Sequence, residues 1–241
     1  MKTIAAFLRK YSHVWILSYG LIYLTWFCYL ERTVTRNYHV MHVAMDDYIP
    51  FNEYFIVPYL MWFLYVAVTI LYFLFTNKED YYRLCLFLFS GMTISLIICT
   101  FFHNGTDFRP ALDPDKNIFT AAVAALYQTD TPTNVFPSVH VYNSIGAHIA
   151  IVKSEALKKH RLVRFGSGIL MTAICLSTVF LKQHSVIDGV GSVVMAYVIY
   201  WVVYGYGWST ENKKVTQKEC IPKKIHSISV FLFLAFILES E

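Results

Sequence analysis

Long apolar runs separated by short polar clusters dominate the chain. Six such runs cover residues 14–30, 55–76, 82–102, 138–152, 165–181 and 185–208. A helix that crosses a bilayer needs roughly 17–25 mostly apolar residues at about 1.5 Å of rise each. Five runs meet that length. The fourth is short and carries Asn143, Ser144 and His148, so it belongs in a membrane only with its polar side turned toward the bundle or a water-filled cavity. The pattern predicts an all-α fold, a polytopic membrane helix bundle of about six transmembrane helices. Between the first two runs, residues 31–54 read as a partly helical interfacial stretch, with Trp26, Tyr29 and Tyr38 near the headgroups and a break at Tyr48-Ile49-Pro50. Residues 227–238 form a run of only 12 before Glu239-Ser240-Glu241, which predicts an interfacial or re-entrant segment.

Composition agrees with this class. Of 241 residues, 56% are hydrophobic and 15% charged, with a mean hydropathy of +0.46, whereas soluble domains carry about a quarter of their residues as charges. One membrane-embedded domain over residues 1–226, with its core at 55–208, and a short terminal segment at 227–241 account for the length. A net charge of +4 without interleaved basic and aromatic residues gives no footprint for nucleic acid. Cys28, Cys85, Cys99, Cys175 and Cys220 have no paired spacing and read as unbridged. His39, His42 and Asp46 have a helical spacing open to metal, but the interfacial stretch explains them more simply, and no cofactor or metal is expected. The first run follows Lys2, Arg9 and Lys10 without a small-residue cleavage site, which predicts an uncleaved signal anchor.

Charge placement then sets an orientation. With the N-terminus in the cytoplasm, the inner segments 1–13, 77–83, 153–164 and 209–226 hold 15 of the 20 lysines and arginines. The outer loops hold only Arg32, Arg36, Arg109, Lys116 and Lys182. Basic residues concentrate on the cytoplasmic side, so the N-terminus is expected inside.

That orientation gathers the reactive side chains on the outer face. His184 opens the last long run and Asp188 follows four residues on, one helical turn deeper on the same face. A carboxylate there fixes the imidazole tautomer and leaves the other ring nitrogen as a base or nucleophile. Pro137-Ser138-Val139-His140 opens the fourth run. Ser138 suits a helix cap, and the first-turn N–H groups of Val139 and His140 form an anion site. Arg109 adds a fork of donors able to hold two phosphate oxygens. His148, about two turns beyond His140, reads as a histidine bonded to another helix. Gly189 and Gly191 read as close helix contact.

Taken together, Arg109-Pro110, then Pro137-Ser138-Val139-His140, then Ser177 with His184 and Asp188 resemble the three motifs of the type 2 phosphatidic acid phosphatase superfamily. The family pattern is K-x6-R-P, P-S-G-H and S-R-x5-H-x3-D. The resemblance implies a six-helix bundle acting on a phospholipid or isoprenoid phosphate among membrane lipids, without metal, at the extracytoplasmic side of the plasma membrane. It implies that His184 attacks phosphorus, Asp188 holds His184, and His140 protonates the leaving alcohol. Arg109, Ser138 and Ser177 would bind phosphoryl oxygens, beside the N–H of Val139 at the helix start.

The chain departs from the pattern at Phe102, Val139 and Thr178, where the family has lysine, glycine and arginine. Two cations of the phosphate cradle are therefore missing, and Lys182 is the nearest replacement by position. The branch containing inositol phosphorylceramide synthases and sphingomyelin synthases keeps both histidines and the aspartate while losing these cations. The expected activity is thus hydrolysis of a lipid phosphate monoester or diphosphate. A phosphotransferase and a non-catalytic lipid-binding relative stand as alternatives.

Overall fold

The computed structural model describes residues 10–205. The end of the last long run, Cys220, the basic segment 209–226 and the segment 227–241 lie outside the described residues. The described chain is mostly helical. A 3₁₀ turn, Ser12–Ser18, leads into α1 (Tyr19–Thr33). A short α2 (Ala44–Tyr48) precedes α3 (Ile56–Thr76), and α4 (Lys78–Phe101) follows after a single residue. Then come α5 (Ile118–Thr129), α6 (Val139–Lys153), α7 (Arg161–Phe180) and α8 (Val186–Tyr200), the last continued by one π-helical turn, Trp201–Gly205. Five helical segments are long and apolar enough to cross a membrane: Ser12–Thr33, Glu53–Thr76, Lys78–Phe101, Arg161–Phe180 and Val186–Gly205. The α6 helix has 15 residues and at about 1.5 Å per residue falls short of a hydrocarbon core of about 30 Å.

Caps mark the helix starts. Asn77 accepts from the N–H of Glu79 and Asp80, and Asn117 from Phe119 and Thr120. Each thereby satisfies first-turn donors that have no intrahelical acceptor. The Asn77 cap turns the chain sharply, so α3 and α4 pack as antiparallel neighbours. On α3, Leu60, Phe63, Leu64, Val68 and Leu71 are exposed, as are Val190, Val193, Val194 and Val198 on α8. An apolar outer surface of this kind is what a bilayer covers.

Despite its length, α6 occupies the centre, packed against α3, α4, α7 and α8. Its polar residues are the inward ones: Asn143 and Ser144 are buried. Ser144 donates to the carbonyl of His140 at 2.7 Å. His148 Nδ1 lies 2.9 Å from the Ser167 hydroxyl of α7, which also meets Tyr65 at 2.7 Å, as its sequence position led one to expect. Two glycines let α4 and α6 approach. The Tyr142 ring crosses over Gly91, and Phe87 lies over Gly146, each within 3 Å of where a Cβ would stand. The Tyr142 hydroxyl then reaches the carbonyl of Phe87 at 2.7 Å.

Three features differ from the sequence reading. Residues 103–137 contain α5, whose Asn117 cap and apolar spacing were the available signals. The stretch 31–54 contributes a strand, β1 (His39–Val40), which pairs in parallel with β2 (Asn104–Gly105); so short a pairing leaves no periodicity to read. Gly189 has nothing within 4 Å of a Cβ position, while Gly191 meets the Phe136 ring rather than a helix. Close helix contact therefore belongs to Gly91 and Gly146, not to these two.

The glycines give a direct check. Gly91→Ala forces the Tyr142 ring aside and is expected to cost about 1–3 kcal/mol of stability. Gly189→Ala replaces an open helical glycine and is expected to be neutral or slightly stabilising. Thermal unfolding of both variants in one detergent measures the difference.

Candidate active site

The turn between α7 and α8 is built by backbone geometry. The carbonyl of Thr178 accepts from the N–H of both Gln183 and His184 at 3.0 Å, and the Tyr127 hydroxyl holds the carbonyl of Leu181 at 2.6 Å. Ser185 then caps α8, its hydroxyl accepting from Ile187 at 3.4 Å, while its own N–H donates to Asp188 Oδ2 at 2.9 Å. This is the reciprocal capping arrangement of a serine with an acid three residues on. Asp188 has no exposed surface and His184 only 8%. His184 Nδ1 lies 3.3 Å from Asp188 Oδ2. An ionised carboxylate can only accept, so the contact puts the proton on Nδ1 and the lone pair on Nε2.

The first turns of α6 and α8 are tied together beside this pair. Ser138 caps α6, its hydroxyl accepting from Val141 at 3.5 Å, and its N–H donates to the carbonyl of Asp188 at 3.3 Å. The Ser192 hydroxyl lies 2.8 Å from the carbonyl oxygens of both Ser138 and Asp188. Val139 and His140 begin the helix, where their N–H groups have no intrahelical acceptor. The His140 ring packs on Tyr59 at 4.6 Å and Trp62 at 4.3 Å between centroids. Its centroid stands 5.8 Å from that of His184, with the rings inclined at 59°. His140, His184 and Asp188 are thus brought together from two helices.

Arg109 reaches the same corner. Its guanidinium donates to the carbonyls of Asp130 at 2.8 Å and Thr131 at 3.1 Å, and to Gln183 Oε1, and it lies over the Tyr127 ring. Because Gln183 accepts through its oxygen, its Nε2 faces away from the arginine. Both Gln183 Nε2 and Arg109 Nε are buried donors without a partner. Burial pushes the Asp130 carboxyl up, opposed by Arg109, and burial also lowers the Arg109 guanidinium, opposed by Asp130. Ser177 is fully buried and donates to Ile174 of its own helix at 2.6 Å. The Lys182 ammonium bonds the carbonyls of Asp46 at 2.7 Å and Ile49 at 2.5 Å. Its donors serve that loop.

Other loops hold the corner closed. Glu31 accepts from Thr131 at 2.5 Å and Asn134 at 2.8 Å. Asn104 accepts from the N–H of Phe136 at 2.8 Å while its carbonyl takes that of Asn134 at 2.7 Å. His39, His42 and Asp46 go separate ways: His39 lies beside Phe102, His42 pairs with Asp47 at 2.8 Å, and Asp46 turns toward α8. The hydrogen bond that His42 donates to Asp47 raises the His42 pKa. Among the described residues, no three His, Cys, Asp or Glu side chains gather as a metal site.

Sequence reasoning missed Tyr59, Trp62, Gln183 and Asp130 as parts of this corner. Only Gln183, next to His184, carried a signal; the others lie on elements that the fold alone brings near. No protein-family model matches the chain, and neither curated proteins nor solved structures include a significant match.

The fork of Arg109 makes three hydrogen bonds in fixed directions, which a lysine cannot reproduce. Arg109→Lys is expected to lower the stability of the folded protein by about 1–3 kcal/mol, the cost of buried acceptors left unpaired, read as a fall in thermal midpoint.

Proposed function

We propose that the protein is a metal-independent lipid phosphate hydrolase of the type 2 phosphatidic acid phosphatase kind, acting through a phosphohistidine on His184. The observation that carries this reading is the His184–Asp188 pair facing the His140 ring across 5.8 Å between centroids. In the first step, His184 Nε2 attacks phosphorus and the phosphorus–oxygen bond to the lipid alcohol breaks. The leaving oxygen takes a proton from protonated His140. In the second step, neutral His140 accepts a proton from water as the water oxygen attacks phosphorus. The phosphorus–nitrogen bond breaks, releasing phosphate and restoring His184. Asp188 stabilises the His184 ring as it gains positive character.

Charge develops on the phosphoryl oxygens during both steps, and fixed donors aimed at it supply most of the catalysis. The unpartnered Arg109 Nε and Gln183 Nε2, with the first-turn N–H groups of Val139 and His140, are the donors suited to that role. Gln183 then does part of the work of the absent motif cations, in place of Lys182. The chain is read as crossing the plasma membrane six times, with α6 as the short fourth crossing and the N-terminus in the cytoplasm. The distribution of lysine and arginine supports that topology, which puts the site on the extracytoplasmic side. The substrate class is a phospholipid or isoprenoid phosphate held by membrane lipids.

Transfer to a lipid alcohol in place of water is the second reading. It is favoured by the low exposure of His184 and the Tyr59 and Trp62 walls around His140, which limit the approach of water.

Purified protein offered labelled phosphatidic acid, phosphatidylglycerol phosphate, an isoprenyl diphosphate and a phosphoinositol lipid tests both. Hydrolysis releases free phosphate; transfer yields a new labelled lipid. His184→Ala is expected to lower either rate by at least about 10³-fold, and excess chelator to leave the wild-type rate unchanged. Equal behaviour of wild type and His184→Ala on every substrate would refute both enzymatic readings and leave a lipid-binding protein.

A further inference from the structure

We infer that Asp46 is a positioning residue for His184, acting through Ser185, an inference that rests on the reading of His184 as the nucleophile. Asp46 is separated from that residue by more than half of the described chain, yet its buried carboxylate is aimed at the start of α8. Oδ1 accepts from the N–H of Val186 at 2.8 Å. Oδ2 accepts from the Ser185 hydroxyl at 2.5 Å and from the N–H of Val43 at 2.9 Å.

Ser185 therefore stands between two carboxylates. Its hydroxyl proton goes to Asp46 and its backbone N–H goes to Asp188 Oδ2, the same oxygen that meets His184 Nδ1. A continuous path of hydrogen bonds runs from Asp46 through Ser185 and Asp188 to the imidazole. The other side of the turn is clamped to the same loop. Lys182 holds a left-handed backbone, with φ at 54°, which is unfavourable for a side chain with a Cβ. Its ammonium bonds the carbonyls of Asp46 and Ile49, and the N–H of Asn52 donates to Phe180 at 3.0 Å.

Capping α8 does not call for the bond from the Ser185 hydroxyl to Asp46. Ser185 and Asp188 already form a reciprocal cap for α8. Asp46 takes the Val186 N–H, a first-turn donor that this cap leaves open, and in addition the Ser185 hydroxyl, and the positive end of the helix dipole accommodates its charge. What it adds is a fixed position for Ser185, and hence for the oxygen that orients His184. A group misplaced by about 1 Å at a reacting centre costs on the order of 100-fold in rate.

The test compares Asp46→Ala, Ser185→Ala and the double variant in the full-length protein in lipid nanodiscs. Each is followed by phosphate or lipid transfer from the best substrate and by the ¹⁵N signals of the His184 ring. Asp46→Ala and Ser185→Ala are each expected to lower kcat about 10- to 100-fold with KM within about twofold of wild type. Because both act on one path, the double variant is expected to be no slower than the worse single variant. The ¹⁵N signals should change from a single Nδ1–H tautomer to a mixture. Wild-type kcat and ring signals in Asp46→Ala, or single losses that multiply in the double variant, would overturn the inference. If His184→Ala retains full activity, the nucleophile reading fails, and the ring signals alone decide the positioning role: unchanged signals in Asp46→Ala refute it. If Asp46→Ala does not fold, Ser185→Ala carries the test, since it keeps the backbone bond to Asp188. A wild-type rate and wild-type ring signals in that variant refute the path.

Discussion

A carboxylate without exposed surface, Asp188, sits in the first turn of α8 in the apolar part of a helix bundle. Burying a carboxylate there is costly unless hydrogen bonds and a partner compensate it. The surrounding structure supplies them to Oδ2, while Oδ1 is buried without a hydrogen-bond partner. Ser185 donates its N–H, His184 presents Nδ1, and the Asp188 carbonyl is bonded by Ser138 and Ser192. These contacts come from the turn after α7, from the start of α6 and from α8 itself, so they fix those three segments relative to one another. The candidate site follows from that arrangement.

The same logic explains α6. A short helix with Asn143, Ser144 and His148 is a poor membrane segment by itself. It is stable at the centre because its polar groups bond within the bundle and because Gly91 and Gly146 let neighbouring rings lie close against the backbone. Close approach brings His140, in the first turn of α6, opposite His184. Tyr59 and Trp62 of α3 then fix its ring from the far side. Packing in the apolar layer thus sets the spacing of the polar pair above it.

How much of this was legible in the sequence depends on the range of each interaction. The apolar runs, the Ser138 cap and the four-residue spacing of His184 and Asp188 are local, and they mark the helices and the core of the site. The His148 contact with a second helix was also readable, since a histidine in an apolar run needs a partner. The rest is long-range. The tie of Arg109 to Gln183, the turning of Lys182 toward Asp46, and the Asp46 bond to the start of α8 join segments far apart in sequence, with no periodicity to announce them. Lys182 illustrates the difference: its position beside His184 made it the natural replacement cation, but its left-handed backbone and the open carbonyls of Asp46 and Ile49 direct it elsewhere. The α5 helix was missed for another reason, being a short apolar helix within a loop whose polar residues drew the reading.

The central claim is a covalent one, that phosphorus becomes bonded to His184 during turnover. The direct measurement is rapid quenching of the protein with a lipid labelled in its phosphate, followed by peptide mapping of the bound label. The account predicts label on His184, lost on brief exposure to acid and retained in alkali, as a phosphorus–nitrogen bond requires. Full turnover with no covalent label, or with label on any other residue, would contradict it.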